Sequence, residues 1–163
     1  MTSDTKTPSA RRKMEEAQFF HWKVVGAGES ASTESPEAYQ YYFNAFLCAA
    51  HSVIDIAQYE LRRGNVIGAW RKALSEEDRV FLQSMKDGRK SEVHRTGTKV
   101  IKQAGLPGNF KFPPGMRLVP ERFFAVGSRN YGVVTACRRY LGLLADLLEY
   151  IDAQSSPASR RRS

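Results

Sequence analysis

The strongest constraint on the fold is the stretch SPEAYQYYFNAFLCAAHSVIDIAQYELRRGN, in which apolar residues recur every three or four positions. This spacing places them on one face of an α-helix. Ser35 and Pro36 are typical of a helix start, and Gly64 of a helix end. At about 1.5 Å per residue the helix is roughly 40 Å long. The stretch therefore predicts the central helix of a bundle.

Three further segments have helical spacing. The first runs from about Arg11 to Val25 and stops in the Gly- and Ser-rich GAGESAS. Another starts at Ser75, whose SEED resembles a capping box, and runs to Gly88 or as far as His94, preceded by the packing residues Trp70 and Leu74. The last starts near Ser128 and carries an apolar stripe of Val133, Val134, Cys137, Tyr140, Leu141, Leu144, Leu148 and Ile151.

These helices form one predicted domain, residues 10–154. Residues 1–9 are small and polar and residues 155–163 are low-complexity and basic, so both are expected to be disordered tails. Residues 98–127, between the third and fourth helices, are rich in Gly and Pro, which favours a short hairpin or edge strand. The expected fold is all-α, an up-and-down four-helix bundle with a short β-like insertion.

The net charge of +8 is concentrated in two places. Residues 86–102 carry six Lys or Arg against two acidic residues, and residues 160–162 are three arginines. A local positive field attracts polyanions. The candidates for RNA contact are Lys86, Lys90, Arg95, Lys99 and Lys102. The alternative interpretation is a solvated face that confers solubility.

Common cofactor and metal motifs are missing from the sequence. GNVIGAWRK lacks the GK[ST] of a phosphate-binding loop, and GAGES lacks the strand-then-helix context of a dinucleotide site. His21, His51 and His94 lack metal-ligand spacing, and His51 lies at the margin of the long stripe, as a core or interface histidine would. We therefore expect neither a metal nor a cofactor.

The expected compartment is the cytoplasm. No apolar run approaches the roughly 18 to 20 residues needed to span a bilayer, and the N-terminal residues lack the apolar core of a secretory signal. Cys48 and Cys137 are isolated and have no CxxC spacing. They are expected to be reduced, small and buried.

One pair of residues suggests chemistry. Arg89 and His94 are five positions apart in MKDGRKSEVHRTG. A metal-independent ribonuclease needs a proton-transferring group, which histidine supplies, and a cation for the phosphate, which arginine supplies. On a regular helix the two side chains diverge by about 140°. They converge only if the helix ends or bends, for example at Gly88, or if two protomers share a cleft.

The order of these elements resembles the HEPN-like domains of prokaryotic toxin and defence systems. YYFNAFLCAAHSVIDIAQYE is similar to the second helix of an uncharacterised bacterial branch, and FLQSMKDGRKSEVHRTG to the segment that carries its R-x4-H motif. The resemblance covers residues 10–97. It implies a homodimeric four-helix bundle in which Arg89 binds and polarises the scissile phosphate and His94 is the general acid/base.

At one position the chain departs from this pattern. Many active members have Asn or Asp directly after the arginine, and this chain has Lys90, which cannot accept a hydrogen bond. Three functions stay open: an endoribonuclease acting as a toxin or defence effector with an antitoxin, a non-catalytic bundle that binds RNA or a protein partner through its basic face, and a bundle that serves only assembly.

Overall fold

The computed structural model describes residues 7–29, 36–61, 65–93, 100–102, 122–126 and 128–155. Within these residues the chain is mostly helical, with five helices and one small sheet, as the sequence predicted in outline. The elements are α1 (Pro8–Glu29), α2 (Pro36–Leu61), α3 (Asn65–Ala73), α4 (Glu76–Val93), β1 (Val100–Lys102), β2 (Arg122–Val126), β3 (Arg129–Gly132) and α5 (Val133–Ser155).

Helix α1 is longer at both ends than its sequence pattern predicted. At its start, the backbone N–H groups of Ser9 and Ala10 donate to the Glu60 carboxylate, at 2.9 and 3.2 Å. This contact satisfies donors that the helix itself cannot pair, and a negative charge there is favourable. At its other end the helix continues to Glu29 through glycines that suggested a loop, and Ala27 in this last part is buried. Residues 8 and 9, assigned to the N-terminal tail, are therefore helical.

Helix α4 begins as its sequence predicts, but a separate helix precedes it. The Ser75 hydroxyl accepts a hydrogen bond from the backbone N–H of Asp78 at 3.1 Å and donates to its carboxylate at 2.7 Å. This is the expected N-terminal cap. The connector before it forms α3, in which Trp70 is buried. The sequence predicted packing residues there but no helix.

The sheet is antiparallel, in the order β1-β2-β3. The sequence predicted that the last helix starts near Ser128, but residues 129–132 form the third strand instead. The helix starts at Val133, so the prediction was wrong by five residues. Pairing explains the difference, because Tyr131 lies opposite Phe124 in the register, with ring centroids 5.5 Å apart. Phe124 also packs on Phe43 of α2. The hairpin is thereby attached to the helical core.

Helix α2 is central, with α1, α4 and α5 all packed against it. The largest fully buried side chains include six aromatic rings, of Tyr39, Phe43, Phe46, Phe81, Phe124 and Tyr140. Polar contacts bind α5 to its neighbours. Arg139 donates to the Asp78 carboxylate at 2.7 Å, and Arg11 of α1 pairs with Asp152. The contact of Arg139 with Asp78 joins α5 to α4, and both helices pack against α2 around the site described next.

The two cysteines are free, Cys137 buried and Cys48 half-buried. Burial raises the pKa of the Cys137 thiol well above its ordinary value, so it stays protonated. Among the described helices none is long and apolar enough to cross a membrane.

Candidate functional site

Arg89, which the sequence predicted to be a site residue, faces a histidine and an aspartate of α2. Its guanidinium Nη1 donates to Asp55 Oδ2 at 3.2 Å. The other oxygen of that carboxylate, Oδ1, lies 3.7 Å from His51 Nε2. His51 and Asp55 are four residues apart on α2, so helical spacing puts them on one face. Arg89, Asp55 and His51 therefore form a polar row across the α2–α4 contact.

Arg89 retains donors beyond this ion pair. Its side chain is 31% exposed. Its Nε is buried and finds no hydrogen-bond partner within the described part of the chain. A guanidinium carries five N–H donors, so its Nη groups keep donors for a phosphate oxygen beyond the contact with Asp55, whereas the buried Nε is not accessible to one.

His51 is a buried, neutral imidazole. Its side chain is 6% exposed, and Nδ1 lies 3.2 Å from the hydroxyl of Tyr140. Burial is the main cause that lowers the pKa of His51, and the nearby cations Arg89, Lys86 and Arg71 lower this pKa further, against the opposing effect of Asp55. At neutral pH the ring is therefore uncharged and able both to donate and to accept a hydrogen bond.

Tyr140 holds this imidazole in place. Its ring is fully buried on α5, with edge-to-face contacts to Phe46 and Phe81 at 6.3 Å between centroids. Burial, with a smaller contribution from Asp55, raises the pKa of the Tyr140 hydroxyl, which stays protonated. A rigid ring with a fixed hydroxyl orients the histidine that it contacts.

A pocket of about 190 Å³ opens beside His51, between α2, α3 and α4. Two buried apolar residues, Ile54 and Leu82, line it together with the buried histidine, and because they are buried we call these three side chains its floor. The complete lining is His51, Ile54, Arg71, Arg79, Leu82, Gln83 and Lys86. The pocket thus combines an apolar and imidazole floor with a polar, cationic wall.

The cations of this wall come from two helices. Arg79 and Lys86 are seven residues apart, two turns of α4, and so lie on the same face. Arg71 reaches the pocket from the last turn of α3. None of the three forms an ion pair with a carboxylate of the described residues. The wall therefore has a net positive charge that is available to an anion.

The predicted site residues are only partly described. Lys86 lines the pocket, and Arg89 lies one turn further along α4. Lys90 is within α4 and Lys102 within β1, and their side chains are not among those described. The remaining predicted residues, His94, Arg95 and Lys99, lie outside the described residues.

Helix α4 shows no break where one was expected. It continues through Gly88 and Arg89 to Val93. Gly88 is buried within it. The irregularity that would let Arg89 and His94 converge within one chain is therefore not at Gly88.

Sequence reasoning missed several residues of this site. Asp55 was detectable, since it follows His51 by four positions on a helix that was predicted correctly. Arg71 and Arg79 lie outside the basic stretch 86–102, and no local pattern connects them. Tyr140 was assigned to the core stripe, where it does lie, but its contact with His51 spans 89 residues.

Within the described residues no group of His, Cys, Asp and Glu side chains could hold a metal ion.

Three kinds of comparison with known proteins found no match to this chain. No protein-family model matches it, and neither a curated protein nor a solved structure is significantly similar to it.

Proposed function

We propose that this chain is an HEPN-like, metal-independent endoribonuclease that acts as a toxin or defence effector. The observation that carries the proposal is the convergence of Arg71, Arg79, Lys86 and Arg89 on one face around His51. RNA carries one negative charge per phosphate, and clustered Lys and Arg supply most of the affinity for such a backbone. The resemblance of the R-x4-H segment to HEPN-like proteins suggests Arg89 and His94 as the residues that act on the RNA.

In the proposed reaction Arg89 binds the scissile phosphate and stabilises the charge that develops on its oxygens. His94 transfers protons, either from the attacking 2′-hydroxyl or to the leaving oxygen. These roles suit the two side chains, because a guanidinium stays charged and an imidazole titrates near neutral pH. The spare donors of Arg89 support its role.

The finer architecture belongs to the same proposal. We infer an up-and-down four-helix arrangement of α1, α2, α4 and α5, with α3 as a connector, and a homodimer whose protomers share the RNA cleft. Because α4 is regular through Gly88, a shared cleft is the arrangement that best lets Arg89 of one protomer meet the histidine of the other. An antitoxin protein would occupy the same basic face.

A second function has support of its own: binding of RNA without cleavage. The ion pair with Asp55 offsets part of the charge of Arg89. Lys90 replaces the Asn or Asp that follows the arginine in many active HEPN-like members. Both features favour a module that binds the backbone and leaves it intact.

Cleavage of end-labelled RNA in EDTA separates the two functions. We expect the parent protein to cut, and both Arg89→Ala and His94→Ala to lose activity while keeping the parental circular dichroism spectrum. The matched control is Arg12→Ala, an exposed arginine on α1. It should cut like the parent.

Binding measured against salt supplies the second half of the test. A binding module should show no cleavage at any salt concentration. Its affinity should fall as Lys86, Lys90, Lys99 and Lys102 are neutralised, with a slope against log salt that becomes shallower. Cleavage that persists in both Arg89→Ala and His94→Ala would refute the assignment of the two residues.

A further inference from the structure

We propose that the pocket between α2, α3 and α4 is a binding site for a phosphate monoester, the dianionic group that ends a nucleotide or a 5′-phosphorylated RNA. This goes beyond the proposed function, since cleavage within an RNA chain requires contact only with internal phosphodiesters. Arg71, Arg79 and Lys86 would then bind the end of the molecule, whereas Arg89 and His94 would act on the bond that is cut.

The shape of the pocket favours a terminal group. Three of its lining side chains, those of His51, Ile54 and Leu82, are buried and so lie at its inner end, and its volume is about 190 Å³. A phosphodiester continues in two directions and needs a groove that is open at both ends. A phosphate monoester continues in one direction only and can enter a pocket with a buried inner end.

The charges of the wall favour a dianion. Arg71, Arg79 and Lys86 reach the pocket from two helices and form no ion pair with a described carboxylate. The carboxylate nearest to the floor, Asp55, already pairs with Arg89. Coulomb attraction to a fixed set of cations doubles when the ligand charge changes from −1 to −2. Guanidinium groups add paired hydrogen bonds to phosphate oxygens.

The imidazole of His51 completes the site. It is buried at the floor and held by Tyr140 through Nδ1. Its Nε2 lies 3.7 Å from Asp55 Oδ1, longer than a hydrogen bond. Because His51 lines the pocket and its Nδ1 contacts Tyr140, Nε2 is the ring nitrogen left to exchange a hydrogen bond with a phosphate oxygen. The side-chain amide of Gln83 on the wall donates to the Asp87 carboxylate at 2.9 Å, and its second N–H is left for a ligand.

The test measures binding with oligonucleotides that cannot be cut. Two 2′-O-methyl RNAs of one sequence, with a 5′-phosphate or a 5′-hydroxyl, are titrated into the full chain at constant salt. Inorganic phosphate and a nucleoside 5′-monophosphate are titrated alongside. We expect the 5′-phosphorylated RNA to bind about tenfold more tightly than its 5′-hydroxyl counterpart. The two small probes show whether a phosphate alone is sufficient for binding or whether a nucleotide is needed.

Variants assign the preference to the pocket. Arg79→Gln and Lys86→Gln should each remove the preference for the phosphorylated end. Arg12→Gln, the matched control, should keep it. The substituted residues are on the helix surface, and circular dichroism verifies that each variant is folded.

Two results would overturn the inference: equal affinity for the two RNAs together with no binding of either small probe, or a preference that survives in both pocket variants. The 2′-O-methyl groups block attack by the 2′-hydroxyl, so the measurement is independent of cleavage. If the preference holds and no RNA is ever cut, the pocket site stands and the nuclease proposal falls. If RNA is cut but the 5′-phosphorylated end is not preferred, the nuclease proposal stands and the pocket site falls.

Discussion

Replacing Tyr140 by phenylalanine removes one buried hydroxyl and leaves the aromatic ring in place. The ring keeps its contacts with Phe46 and Phe81, so the apolar burial is unchanged. The substitution eliminates the hydrogen bond to His51 Nδ1, at 3.2 Å, and leaves a buried ring nitrogen without a partner. An unpaired buried polar group costs about 1 to 3 kcal/mol. We therefore expect Tyr140→Phe to lower the free energy of unfolding by about 2 kcal/mol.

For a chain of this size, about 1 kcal/mol corresponds to a change of roughly 2 to 4 °C in the midpoint of thermal unfolding. The expected decrease in Tm is therefore about 4 to 8 °C. Circular dichroism at 222 nm measures it, with urea titration to verify that the m-value is unchanged. Tyr59→Phe is the matched control, since Tyr59 is 83% exposed, and it should leave Tm unchanged.

A Tm within 1 °C of the parent would refute the reasoning, because the contact between Tyr140 and His51 would then contribute nothing. The same substitution should also affect the pocket. His51 would lose the contact that orients it, so the affinity for a phosphate monoester should fall in Tyr140→Phe even where the protein is fully folded. A decrease in Tm with unaltered phosphate binding would show that His51 is only a core residue.

Three further outcomes follow from the structure. Leu144→Ala, at a fully buried position of α5, should destabilise the fold by about 2 to 5 kcal/mol, measured by urea unfolding. Stability should fall as the pH decreases below 6.5, because burial lowers the pKa of His51 and of His21 in the folded chain, so the unfolded chain binds more protons. A double-mutant cycle of Arg139→Ala and Asp78→Ala should give a coupling of about 0.5 to 1 kcal/mol, which decreases at high salt.

A specific result would contradict each of these three predictions. A loss below about 1 kcal/mol for Leu144→Ala would show that this position is not part of a packed core. The pH dependence of stability between 8 and 5.5 should become shallower in His51→Gln, and an unchanged profile would contradict the origin assigned to it. Salt-independent coupling between Arg139 and Asp78 would show that their contact is not mainly electrostatic.

The sequence by itself determined the elements whose cause is local. The apolar stripe of α2 and the Ser75 cap of α4 depend on residues three or four positions apart, and both were predicted. The start of α5 was predicted five residues too early, because Arg129–Gly132 pairs with a strand instead. Whether these residues form a strand or a helix depends on contacts with β2 and Phe43. The spacing of residues along the chain does not reveal these contacts.

The site illustrates the same division. Sequence alone identified a basic stretch and the Arg89 that belongs to it, because charge clusters are visible along the chain. Tertiary structure brought Asp55 to Arg89 and Tyr140 to His51, and assembled Arg71, Arg79 and Lys86 around one pocket. Helical periodicity states which side of a helix is apolar, but the packing of α2 against α4 and α5 decides which polar side chains meet. Such convergence is a property of three dimensions, where residues 34 or 89 positions apart come within hydrogen-bond distance.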